Sequence, residues 1–328
     1  MTKAMILAAG FGTRFRPVTH TLPKPMVPVC NRPLIAWAVE AFIRAGVREL
    51  VVNLHHLPEP IERYLQDTYA SEATFHFSRE EEILGTGGGV RRVRPWLEGG
   101  EEFFLVNGDT IQFPHWDVLS QARRANDALA ALSLRRPPEN DRFTPVYFEH
   151  GRVTGFGKGT GEPLMFGGAH CISTRIFRYL PEKEFSGIVD EVYQPQLDRG
   201  EETLAGVVDD GVWFDIGTPQ RYTGATRALH EATLRGTVDR ARGSRIDGDS
   251  IIDESARITG RLVRSQVGAQ SNVEGDLLES VVWDRCRIAR GARLERCIVA
   301  HDVEINEPLE LTDALVTKGE AGLVITQI

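Results

Sequence analysis

The chain reads as an α/β fold, a mixed and mostly parallel sheet covered by helices, followed by a short parallel β-helix. Two observations predict this. Over the first 135 residues, continuous apolar runs alternate with helical stretches, the pattern of a parallel sheet buried on both faces. After about residue 240, apolar residues recur six apart, as at Val282, Ile288 and Leu294 or Val299 and Ile305. A six-residue period fits neither a 3.6-residue helix nor an alternating strand, and it marks a hexapeptide solenoid. The 328 residues leave room for two domains, and the change of texture divides them into 1–235 and 236–328.

In order, strands are expected at 4–9, 50–54, 74–77, 103–106 and 129–134. The helix over 34–45 has Pro33 at its start and Gly46 just past its end, both favoured there. Between 145 and 217, short strands at 146–148, 153–156, 164–172 and 212–216 surround helices near 175–180 and 189–197. A helix over 219–234 follows, with Pro219 in its first turn. The six-residue period slips between groups, so the β-helix is expected to be irregular. A solenoid buries its faces only against neighbours. This one is expected to pack on the first domain or on another subunit.

The formal net charge of −8 argues against a duplex nucleic-acid binder, which carries a basic stripe. No apolar run approaches the roughly 20 residues of a membrane helix. The apolar start is ended early by Gly10 and reads as a first strand rather than a signal peptide. Cys30, Cys171, Cys286 and Cys297 form no Cys-x-x-Cys pair, which suits free thiols in a reducing cytoplasm. A cytoplasmic protein without nucleic-acid or membrane partners is expected.

Ligands of open parallel sheets bind outside the carboxyl ends of the strands, so the loops there carry the chemistry. After the first strand comes Gly10-Phe11-Gly12-Thr13-Arg14, continuing to Pro23-Lys24-Pro25-Met26. The glycines let backbone approach a phosphate, and Arg14 and Lys24 would add positive charge to a triphosphate. A bare Gly-x-Gly equally fits an ordinary strand–helix turn. Glu82-Ile83-Leu84-Gly85-Thr86 leads into Gly87, Gly88 and Gly89, which suit close approach to a flat ligand or a phosphate, or a flexible connector. Val106-Asn107-Gly108-Asp109 puts a carboxylate at a strand end. That place suits Mg²⁺, which takes oxygen ligands and shares them with phosphates. A turn aspartate making a local hydrogen bond is the alternative. Asp215, in Trp213-Phe214-Asp215-Ile216-Gly217, likewise ends a strand, or else caps the following helix.

The run from Leu7-Ala8-Ala9-Gly10 through Met26, with Val27-Pro28-Val29 and Asn31-Arg32-Pro33-Leu34-Ile35, resembles the signature of sugar-1-phosphate nucleotidyltransferases. The resemblance spans about residues 4–235 and implies a Rossmann-like catalytic domain over 1–235. The tail, 236–328, resembles the left-handed parallel β-helix that ends many such enzymes. The implied reaction joins a nucleoside triphosphate and a sugar-1-phosphate, with Mg²⁺, into a nucleotide-sugar and pyrophosphate. By this resemblance Arg14, Lys24 and Asp109 are catalytic. Leu7, Ala8, Ala9, Gly10, Gly12, Thr13, Glu82, Gly87 and Gly88 bind the nucleotide. Lys158, Gly168 and Glu191 bind the sugar phosphate, and Asp109 and Asp215 hold the metal. Glu191 equally suits a charge at a helix start. Phe166-Gly167-Gly168 stands where the family has Asn-Ala-Gly, a departure at the sugar.

Within the family, Leu84-Gly85-Thr86, Asp215-Ile216-Gly217-Thr218-Pro219 and the tail favour mannose-1-phosphate guanylyltransferase. Glucose-1-phosphate enzymes and N-acetylmuramate-1-phosphate uridylyltransferase, the latter similar in its Thr86-Gly87-Gly88-Gly89 spelling, are the alternatives. A non-catalytic nucleotide-sugar-binding relative is the reading from another class. The tail implies a homo-oligomer, with truncation expected to alter assembly more than chemistry.

Overall fold

The computed structural model describes residues 2–138, 143–320 and 322–328. The chain divides into two compact units. One is Met1–Phe11 with Ile35–Phe214, the other Gly12–Leu34 with Asp215–Ile328. This division is not a cut at 235. The glycine-rich segment and helix Pro219–Leu234 group with the solenoid, because Tyr222, fully buried on that helix, donates to the Pro28 carbonyl at 2.7 Å and accepts from the Trp283 indole at 2.9 Å.

The first unit is built on nine strands: β1 (Lys3–Leu7), β2 (Glu49–Leu54), β3 (Thr74–Arg79), β4 (Glu102–Asn107), β5 (Ala130–Arg135), β6 (Val146–Glu149), β7 (Arg152–Phe156), β8 (Glu162–Ser173) and β9 (Leu204–Val208). Their order in the sheet is β3-β2-β1-β4-β8-β5-β9-β7-β6. β1 runs parallel to β2 and β4, β2 to β3, and β5 to β9. β8 is antiparallel to both β4 and β5. The sheet is therefore mixed; the expected parallel pairing holds across β3-β2-β1-β4 and between β5 and β9, while β6, β7 and β8 pair antiparallel because hairpins and short returns join them. Met5, Val51, Phe103, Leu105, Leu132 and Ile172 fill its core.

Helix α1 spans Leu34–Arg44 and stops before Gly46, whose φ of +81° ends it. The segment near 175–180 is a 3₁₀ turn, Thr174–Arg178, rather than an α-helix. The helix expected over 189–197 opens as a wide π-type turn, Val189–Tyr193, and continues as Gln194–Arg199. Strand β9 was not expected, because Gly206 interrupts its apolar run. A Cβ there would stand 2.7 Å from Leu134 and from the Phe148 ring, so the neighbouring strands require glycine.

In the second unit the left-handed parallel β-helix is present as three stacked faces. Ile251, Gln266, Val281, Ile298 and Leu315 stack in register, so successive coils take 15, 15, 17 and 17 residues. That change of length is the slip seen in the sequence period. The short coils turn a corner on Gly260 and Gly275. A Cβ on Gly260 would lie 1.9 Å from the Gly275 carbonyl oxygen. Buried Ser250, Ser265 and Ser280 form a ladder in which each hydroxyl accepts the backbone N–H one coil on, at 3.0–3.2 Å.

Candidate functional site

Strands β1 to β4 end together at the carboxyl edge of the first unit, and their ends are tied. The Ala8 amide, just past β1, donates to Asn53 Oδ1 at 2.8 Å. Asn53 Nδ2 donates to Glu80 Oε1 at 2.8 Å, and Glu80 Oε2 accepts the Leu84 amide at 3.0 Å. Asn53 and Glu80 are both buried. On the other side of β1, the Gly108 amide donates to the Leu7 carbonyl at 2.8 Å. A Cβ on Gly108 would lie 2.6 Å from that oxygen, which explains the glycine before Asp109. Leu7, Ala8, Ala9 and half-buried Asp109 therefore come to one edge. Gly10 is exposed there.

In the run Glu80-Glu81-Glu82, the carboxylate built into this edge is Glu80, not Glu82, which is exposed. Asn53 and Glu80 were missed. The available signal was a polar residue next to the end of an apolar strand and an acid directly after the next strand.

The glycines of helix α2 (Gly85–Arg92) are explained by neighbouring backbone. A Cβ on Gly87 would lie 2.7 Å from Ser186 Oγ, and one on Gly88 2.4 Å from the Glu184 carbonyl oxygen. The Gly87 and Gly88 amides both donate to the Ser186 carbonyl, at 2.8 and 3.3 Å. The sequence reading gave these glycines to close approach of a ligand; here both N–H groups are bonded to the chain's own backbone. Gly89 faces the Asn53–Glu80 pair, with Cβ room of only 3.3 Å.

The phosphate-side residues Gly12, Thr13, Arg14 and Lys24 belong to the second unit, as does Asp215. Gly12 takes the left-handed conformation, φ 63° and ψ 31°. Its carbonyl accepts from the Thr19 hydroxyl at 2.9 Å. Lys24 is buried in a 3₁₀ turn between Pro23 and Val27, and its stem covers the Gly12 α-carbon. Thr13 and Arg14 are exposed. The Arg14 guanidinium and the Asp215 carboxylate flank Gly217, each 3.0 Å from where its Cβ would stand. Asp215 also forms an ion pair with Arg221, a partner in the first turn of helix Pro219–Leu234 that sequence reasoning missed.

Lys158 lies exposed in the turn after β7, folded tightly enough that a Cβ on Gly155 would meet the Lys158 carbonyl at 2.1 Å. Gly168, at φ +87°, lies where the register between β8 and β5 shifts. Its Cβ would fall 2.7 Å from Asn107 Nδ2, so the side chain at the end of β4 requires glycine here. The Trp213 indole donates to the Gly167 carbonyl at 2.8 Å. Glu191 pairs with Lys183 and accepts the Gly187 amide at 3.3 Å. The Lys183 ammonium holds its carboxyl below the usual carboxylate range.

Residues 3–232 match the family described as Nucleotidyl transferase, and residues 230–319 match the GlmU-like, C-terminal hexapeptide family. The chain is 30% identical over 326 residues to a probable mannose-1-phosphate guanylyltransferase 2 of Oryza sativa subsp. japonica, covering 96% of this chain and 85% of that one. It is 30% identical to mannose-1-phosphate guanylyltransferase 1 of Arabidopsis thaliana, with the same coverage. To mannose-1-phosphate guanylyltransferase of Mycobacterium tuberculosis it is 26% identical, covering 89% and 83%. Among solved structures, HddC from Yersinia pseudotuberculosis complexed with GMP-PN aligns at a TM-score of 0.59 and 21% identity, over 70% of this chain and 100% of that one. A UDP-glucose pyrophosphorylase complexed with UDP-glucose aligns at 0.60 and 20%, over 70% and 99%. At these identities the structures share the fold.

Proposed function

The chain belongs to the Nucleotidyl transferase family, and from that premise we propose that it is a mannose-1-phosphate guanylyltransferase. A phosphate oxygen of mannose-1-phosphate attacks the α-phosphorus of GTP. The bond to the β-phosphate bridging oxygen breaks, and pyrophosphate leaves. The observation that carries the reading is similarity to guanylyltransferases that runs through both the catalytic domain and the β-helix, over 96% of the chain.

The phosphate nucleophile needs no general base, so catalysis is positioning and charge neutralisation. Arg14 and Lys24 neutralise the departing pyrophosphate. Leu7, Ala8, Ala9, Gly10, Gly12 and Thr13 shape the nucleotide loop, and Lys158, Gly168 and Glu191 take the sugar phosphate. Asp109 and Asp215 are the residues that would hold Mg²⁺. Their donor chemistry fits, since both offer hard carboxylate oxygens. Two carboxylates with substrate phosphates are the usual Mg²⁺ arrangement. When bound, the ion supplies charge neutralisation on the phosphates.

The reading keeps 1–235 as catalytic domain and a cytoplasmic setting. Among the described residues no helix is long and apolar enough to cross a membrane. It also includes a homo-oligomer formed through the β-helix. The last strand, Gly322–Gln327, supports this as an uncharged edge with Leu323, Val324 and Ile325 exposed, the kind of edge that seeks a partner strand. Mg²⁺-dependent pyrophosphate release across nucleoside triphosphates and sugar-1-phosphates tests the function. Release confined to another substrate pair would replace it.

A further inference from the structure

The segment Gly12–Leu34, which carries Arg14 and Lys24, ends in a small hairpin of Pro28–Val29 against Arg32–Pro33. Its two-residue tip, Cys30-Asn31, has positive φ at both residues, 52° and 58°, the geometry of a tight type I′ turn. That tip sits on the first coils of the β-helix. The Cys30 amide donates to Gln266 Oε1 at 3.2 Å, and Asn31 Nδ2 donates to the Val267 carbonyl at 2.8 Å. Arg32 Nη2 donates to the Asp239 carbonyl at 2.7 Å.

Gln266 is itself held. Its Nε2 lies 3.0 Å from His230 Nδ1, and His230 Nε2 lies 2.8 Å from the Asp249 carbonyl. A carbonyl only accepts, so Nε2 carries the proton and Nδ1 accepts from the glutamine amide. Burial holds His230 below its ordinary value, which keeps that neutral form. Cys30, Arg32, His230 and Gln266 are each no more than 5% exposed. A second anchor sits on the same hairpin at Pro28, whose carbonyl takes the Tyr222 hydroxyl, itself bonded to Trp283 on the β-helix. Phe15, one residue from Arg14, packs edge-on against Tyr222 at 5.7 Å.

Fixing a segment of this length costs conformational entropy at every residue, and its own structure is three 3₁₀ turns and the hairpin over 28–33. The contacts that offset that cost include the β-helix anchors. We propose that the β-helix is part of the catalytic apparatus, with Gln266 as a positioning residue. Through the Cys30 amide it holds the segment that places Arg14 and Lys24. This rests on the phosphate-binding role given to those two residues above. It reverses the expectation that losing the tail disturbs assembly more than chemistry.

The test uses the full chain with Gln266→Leu and, separately, Asn31→Ala. Each is measured for steady-state kinetics, sedimentation and thermal midpoint. The expected result is a loss of about tenfold or more in kcat/KM for the nucleoside triphosphate, the scale at which remote misplacement acts. KM for the sugar phosphate and the oligomeric state stay as in the wild type. In an Arg14→Lys background, Gln266→Leu costs far less, because both changes act on one element. Wild-type kinetics in both folded variants overturns the inference, as do losses that multiply in the double variant. If Gln266→Leu does not fold, Asn31→Ala carries the test. An inactive wild-type enzyme would fault the proposed function instead. Amide exchange then decides: exchange across 12–34 must accelerate in the variants, and unchanged protection overturns the anchor.

Discussion

Gly12→Ala puts the phosphate loop under a strain whose size follows from the coordinates. At φ 63° an alanine pays about 1–2 kcal/mol for the left-handed conformation. Its Cβ would stand 2.9 Å from both Lys24 Cβ and Thr19 Cγ2, closer than carbon atoms pack. Lys24 and Thr19 are buried and have little room to yield, so overpacking adds about 1–3 kcal/mol. The total is about 2–5 kcal/mol. The loop relieves it by moving, and the loss then appears in catalysis. At 1.36 kcal/mol per decade, kcat/KM falls by roughly 30-fold to several thousandfold. Steady-state pyrophosphate release measures the kinetic loss, and urea unfolding measures any share taken as stability. A useful contrast is Gly224→Ala, mid-helix in Pro219–Leu234, where a Cβ meets nothing within 4 Å. It should gain about 0.5–1 kcal/mol. Gly12→Ala within threefold of wild-type kcat/KM and equally stable would refute the steric reasoning.

Three other outcomes are expected. Asp109→Ala and Asp215→Ala should each lower kcat by at least about a hundredfold at saturating Mg²⁺; near-normal turnover in both removes the metal assignment. His170 is buried against Tyr193, bonded at 2.9 Å, and burial pushes its pKa down to about 3. Below about pH 6.5 the unfolded chain takes up a proton that the folded chain refuses, so this contribution is whole above pH 6.5 and is lost as pH falls toward 3. Urea unfolding should show His170→Asn flattening the pH 6 to 4 decline by about 1.4 kcal/mol per unit, one proton's worth; an unchanged slope would contradict it. Val324→Lys, on the exposed terminal strand, should shift sedimentation toward the monomer without lowering the per-chain thermal stability by more than about 0.5 kcal/mol. An unaltered assembly would place the interface elsewhere.

The sheet and the solenoid were legible because burial leaves a period in the sequence. Strands β1 to β5 fall on their apolar runs, and Ile288 and Leu294 kept their six-residue spacing in the longer coils. β9 was hidden because Gly206 answers to its neighbours, Leu134 and Phe148, and not to its own strand. The same holds at the candidate site. Gly87 and Gly88 read as ligand-facing glycines, yet the backbone of residues 184–187 explains them. Segment 184–187 is a hundred residues away in sequence, and no local pattern announces such a contact. Asp215 was singled out from its place at a strand end, while its half-buried partner Arg221 was not, since an arginine in the first turn of a helix carries no signal. The attachment of residues 12–34 to the β-helix was illegible for a further reason. Cys30 acts through its backbone amide, and Gln266 is a polar residue at a position whose stacked neighbours are Ile251 and Val281.

Pyrophosphate release with GTP and mannose-1-phosphate, set beside the other nucleoside triphosphates and sugar-1-phosphates under Mg²⁺, tests the assignment most directly. The prediction is turnover with the GTP and mannose-1-phosphate pair at least about tenfold above every other pair, abolished when Mg²⁺ is chelated. Silence across the whole grid from a folded, nucleotide-binding chain, or a larger rate with another pair, would contradict it.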